Sequence, residues 1–189
     1  MRIEDIVLRT LRVPLKQPYK LSYRTFTDCE PIIVEMRSRD GFIGWGEGHI
    51  SPGSSSETRD GGWQFCRRYA ERIAGRDTSD AMAILSSAMH ESKVAATALL
   101  TAIEMLEGEP LLEAGEGAGL PLLSPVNATG EFEIADEIEQ RIAEGFRTFK
   151  IKVGSDAGAD TKRVRAIQKA VDGRATMRID ANRAYGESD

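Results

Sequence analysis

The chain has 189 residues, of which 41% are hydrophobic and 29% charged, with a formal net charge of −5. This composition belongs to a soluble globular protein able to bury a sizeable core. An acidic balance with no dense run of Lys or Arg excludes nucleic acid as an expected partner. No segment stays apolar long enough to span a bilayer, and the charged, alternating N-terminus does not read as a signal peptide, so no membrane association is expected.

Residues 3–13 alternate as a strand ended by Pro14, and residues 31–37 and 42–47 make two more strands around the turn Ser38-Arg39-Asp40-Gly41. Together they predict a three-stranded antiparallel meander. From Ser56 the period changes: Trp63, Cys66, Tyr69, Ala70 and Ile73 recur at helical spacing until Gly75. A second helix begins near Thr78-Ser79-Asp80. A third presents Val94, Ala95, Ala98, Leu99, Ala102, Ile103 and Leu106 on one apolar face and stops at Gly108-Glu109-Pro110. Strands followed by helices predict an α+β domain.

The Gly-rich stretch 113–119 reads as a linker or exposed loop. Beyond it the order is strand (121–127), helix (131–144), strand (146–153), helix (160–171), strand (175–180). Such a βαβαβ unit has parallel strands and belongs either to a doubly wound sheet or to a (β/α)8 barrel. Cys29 and Cys66 lack the spacing of zinc sites or disulfide frameworks, which points to a reducing, cytoplasmic setting.

The chemistry concentrates at two strand ends 28 residues apart, Lys150-Ile151-Lys152 and Asp180-Ala181-Asn182. Residues two apart on a strand share a face, so Lys150 and Lys152 project together while Ile151 and Val153 face the helices. Two ammonium groups about 7 Å apart at an effective dielectric near 20 repel by about 2.4 kcal/mol, which favours loss of one proton and suits a lysine to act as a general base. An isolated Lys-x-Lys is usually a solvated pair, but here it lies in an apolar strand running straight into a loop, a costly place for idle amines.

Asp180 at the end of the next strand can ligate a hard divalent cation such as Mg²⁺. The plainer roles are a helix cap for Asp180 and a turn for Asn182. Joint placement at equivalent positions of successive repeats favours the functional reading: a lysine takes a proton α to a carboxylate while the cation stabilises the developing enediolate.

Elsewhere the signals are weaker. His49 and His90 share no motif, so a His-based triad or zinc site is not expected. Gly44, Gly46 and Gly48 lack the strand-to-helix setting of a phosphate loop and read as a strand end meeting a close-packed neighbour. Tyr23 and Arg24 are candidate substrate contacts, against core packing for the tyrosine and a solvated charge for the arginine. A rival reading, in which Lys150 and Lys152 hold a phosphate, is disfavoured by Gly154-Ser155-Asp156, with one glycine and an acid where a cradle needs several backbone donors.

Phe149-Lys150-Ile151-Lys152-Val153-Gly154, then Asp160 with Arg163-Val164-Arg165-Ala166, then Arg178-Ile179-Asp180-Ala181-Asn182, together with Gly44-Trp45-Gly46-Glu47, resemble the mandelate racemase/muconate lactonizing enzyme group of the enolase superfamily, nearest its lysine-base branch. The resemblance spans the whole chain. It implies an α+β capping domain over residues 1–120, with loops 20–27 and 50–56 selecting substrate, and the first βαβαβ part of a (β/α)8 TIM-type barrel over 121–189. By resemblance Lys152 is the catalytic base, Lys150 tunes it or contacts the carboxylate, Asp180 is the first Mg²⁺ ligand, and Asn182 supports substrate or metal.

Family members racemise, epimerise, dehydrate or cycloisomerise small carboxylate substrates through an enolate-type intermediate. The family pattern also calls for two further acidic ligands and a second lysine beyond Asp189. An incomplete barrel is therefore expected to be inactive alone, with the remainder supplied by another chain or by a homo-oligomer. The alternative expectation is a non-catalytic module that forms oligomers through its capping domain.

Overall fold

A computed structural model describes residues 1–20, 24–113, 117, 119–182 and 184–187. The chain divides into two compact units, Met1–Tyr19 with Phe26–Glu116, and Lys20–Thr25 with Gly117–Asp189. No helix among the described residues is long and apolar enough to cross a membrane.

In the first unit β1 (Ile3–Thr10), β4 (Ile32–Ser38) and β5 (Ile43–Gly48) form an antiparallel sheet of order β1-β4-β5. The strand expected over residues 3–13 stops at Thr10, and the chain continues as β2 (Val13–Lys20), which pairs with β3 (Thr25–Cys29) in a separate two-stranded sheet. This two-stranded sheet departs from the expected meander. Pro14 and Pro18 lie within β2, and proline, lacking an N–H, is tolerated only on an edge strand, which is what a two-stranded sheet offers.

Three helices follow, α1 (Arg59–Ile73), α2 (Thr78–Ala88) and α3 (Lys93–Glu107); α1 and α3 pack on the larger sheet and α2 packs against both of them. Thr58 caps α1 by accepting from the Gly61 N–H, Ser92 caps α3 by accepting from the Ala95 N–H, and Gly108 closes α3 at φ 70°. Along α3, residues 94, 98, 102 and 106 meet Gly48, Gly46 and Gly44 of β5 in turn. Two strand residues rise about 6.6 Å and four helical residues about 6 Å, so the repeats stay in step and backbone packs on backbone. Ile3, Val34, Met36, Phe65, Ile73, Leu85, Leu99 and Ile103 lie in the resulting core, each at most 2% exposed.

In the second unit β6 (Ser124–Val126), β7 (Thr148–Lys152) and β8 (Thr176–Asp180) form a parallel sheet of order β6-β7-β8, joined by α4 (Glu131–Ala143) and α5 (Ala157–Val171). Phe149 and Ile151 of β7, with Val153 just past its end, lie in a core shared with Val126, Ile134, Ile138, Ile167 and Val171. The intervening lysines, half-buried, take the other face.

Candidate functional site

The parallel register places Lys152 beside Asp180 and Lys150 beside Arg178. Lys152 Nζ donates to Asp180 Oδ2 at 3.0 Å, and Lys150 Nζ lies 3.0 Å from the same oxygen. The mutual repulsion expected of two bare ammonium groups is thus offset by a carboxylate oxygen shared between them. Asp180 Oδ1 accepts from the Asn182 backbone N–H at 3.0 Å, closing a tight turn in which Asn182 adopts φ 47°, a conformation asparagine tolerates. The hydrogen bonds from Lys150, then Lys152, then the Asn182 N–H hold the Asp180 carboxyl well below the usual carboxylate range.

Asp180 has the oxygen chemistry of a Mg²⁺ ligand and stays ionised, so it fits as one ligand. Among the described residues no group of three His, Cys, Asp or Glu is placed to hold a metal ion. Asp180 partly neutralises both amines, which further disfavours a phosphate cradle at the lysine pair.

Of the sequence-predicted residues, the structure brings together Lys150, Lys152, Asp180 and the backbone of Asn182. Arg24 is exposed just ahead of β3, and Tyr23 lies outside the described residues. The loops around the cluster are braced by residues to which sequence reasoning gave no role. Asp160 is 8% exposed, and its Oδ2 accepts from the N–H groups of Gly154 (2.8 Å), Ser155 (3.2 Å) and Asp156 (3.4 Å) and from the Tyr185 hydroxyl (2.7 Å).

Burial acts to raise the Asp160 carboxyl, but these hydrogen bonds outweigh it and hold the group below its ordinary value. Arg163 donates to three carbonyls, those of Ala128 (3.0 Å), Lys152 (2.9 Å) and Val126 (2.7 Å). The available signal was a charged pair three apart in the first half of the helix that follows the lysine strand.

A family model described as Enolase C-terminal domain-like matches residues 133–189. The chain is 30% identical to L-Lys-D/L-Arg epimerase of Methylococcus capsulatus, an alignment covering 98% of this chain and 55% of that protein. It is 32% identical to o-succinylbenzoate synthase of Geobacillus stearothermophilus, covering 98% and 52% respectively. Among solved structures, the dipeptide epimerase from Methylococcus capsulatus, complexed with Mg and the dipeptide L-Arg-D-Lys, superposes with a TM-score of 0.79 at 27% identity, over 100% of this chain and 56% of that one. The chain spans about half the length of the curated relatives it matches. Through both of its units the chain is thus similar to enzymes of the mandelate racemase/muconate lactonizing enzyme group of the enolase superfamily.

Proposed function

We propose that this chain carries the proton-abstracting part of an enzyme that epimerises or racemises a small carboxylate, of the dipeptide or N-acyl amino acid class, by removing the proton α to the carboxylate. In this reading the first unit is the capping domain and the second is the opening βαβαβ of a (β/α)8 barrel. The observation that carries it is the meeting of Lys152, Lys150 and Asp180 at the C-terminal ends of adjacent parallel strands, the end at which barrel enzymes place their chemistry.

Lys152, after its ammonium proton has passed to solvent water, takes the substrate α-proton on its neutral Nζ. Lys150, two residues back on the same face, offers a positive charge to the substrate carboxylate. Asp180 would be one ligand of a bound Mg²⁺, which would supply charge to an enolate oxygen. The epimerase relative and the Mg-dipeptide complex support this choice of substrate class and ion.

The test is exchange of the α-proton in D₂O, followed by ¹H NMR over a panel of dipeptides and N-acyl amino acids with Mg²⁺ present. With the barrel completed by the remaining strands of a relative, the protein is expected to wash out the α-proton of at least one of them, and Lys152→Ala to slow that by roughly 10²- to 10⁴-fold with its circular dichroism unchanged. Full exchange in the variant would remove lysine from the role.

A further inference from the structure

Asp160 and Arg163 sit one turn apart on α5, and between them they engage backbone at the ends of β6 and β7 and a side chain beyond β8. β6 has three residues, and its ladder to β7 ends at the pair Val126–Ile151. Past that point the strands no longer hold each other by backbone hydrogen bonds, yet Lys152 is the next residue. Arg163 bridges the gap, because its fork of donors ties the Val126 and Ala128 carbonyls on one side to the Lys152 carbonyl on the other.

Asp160 does the same for the next pair of loops. Its single oxygen gathers three consecutive N–H groups after β7 and the Tyr185 hydroxyl after β8. The two loops also touch: Gly154, at φ 115°, has room only for hydrogen, since a Cβ there would lie 2.6 Å from the Ala184 Cβ.

We infer that Asp160 and Arg163 are positioning residues, a polar brace on α5 that sets where the Lys152 amine stands relative to Asp180. The inference rests on the reading of Lys152 as the base, and it concerns geometry that is measurable without turnover. A buried or half-buried charge spent on backbone groups is costly unless fully paired, and here every bond goes to a strand end or loop bordering the lysine cluster. An arginine serves better here than a lysine, because its planar fork reaches carbonyls on two strands at once, whereas an ammonium replaces only part of that set.

Zero-length cross-linking of the 189-residue chain tests this. A carbodiimide joins an amine and a carboxylate in contact as an amide, with loss of water, and peptide mapping locates the bond. The link from Asp180 to the Lys150/Lys152 pair reports the site. The link from Lys169 to Glu131, which also pairs α5 with another part of the second unit at 3.0 Å, serves as control.

Arg163→Met, which keeps the aliphatic stem, is expected to reduce the site link by roughly tenfold and leave the control link intact. Arg163→Lys should restore part of it, and Asp160→Asn should cause a smaller loss. An unchanged site link in Arg163→Met and Asp160→Asn would overturn the inference. So would parallel loss of both links, since the residues would then serve the fold at large. If Lys152→Ala leaves proton exchange intact while the cross-link result is as expected, the brace stands and the functional reading falls.

Discussion

Asp180 is the residue on which the site turns. Its carboxyl is held below its ordinary value by two amines and one N–H, so on acidification the folded chain keeps this charge longer than the unfolded chain does. The stabilisation is therefore present above the unfolded value, about 3.9, and is lost as pH falls through the lower folded value. Because the carboxyl is a third exposed, solvent screening limits its worth, and Asp180→Asn is expected to cost under about 1 kcal/mol near neutral pH. Urea unfolding of wild type and variant at stepped pH checks this: the difference should vanish towards pH values at which the wild-type carboxyl is protonated. A difference that persists unchanged in acid would mean that the amines do not hold the carboxylate.

At the level of elements, the tightest joint is β5 on α3. A Cβ on Gly46 would stand 1.8 Å from the Ala98 carbonyl oxygen, and one on Gly44 would stand 2.0 Å from that of Ala102. Both obstacles are backbone, which cannot rotate aside. Gly46→Ala is therefore expected to push α3 off the sheet and cost about 3 kcal/mol, at the upper end of overpacking penalties, read as a lower urea midpoint. The spacing Gly-x-Gly-x-Gly already told of close packing, and the helical spacing told of an apolar face on α3; that Ala98 and Ala102 of that face meet the glycines is a tertiary fact. The β2–β3 pair was hidden for a different reason, since prolines at 14 and 18 suppress the strand signal unless the strand is known to lie at an edge.

For the whole molecule, two separate cores carry the stability, one of sheet and three helices, one of parallel sheet and two helices. Both tryptophans, Trp45 and Trp63, belong to the first unit, so their fluorescence reports on that unit. Leu99→Ala, which empties a fully buried position on α3, is expected to lower the fluorescence-detected stability by about 2–5 kcal/mol. An unshifted midpoint would show that this core does not govern the transition.

The sequence by itself determined the helices, the parallel βαβαβ order and the common face of Lys150 and Lys152, because hydrophobic period and strand alternation are local properties of the chain. Only the tertiary structure decided that one oxygen of Asp180 lies between both amines and that Asp160 and Arg163 tie the surrounding loops. The contacts of Lys152 with Asp180, of Arg163 with the strand ends and of Asp160 with Tyr185 span 11 to 37 residues, and they depend on strand register and helix rotation, quantities that no local pattern encodes.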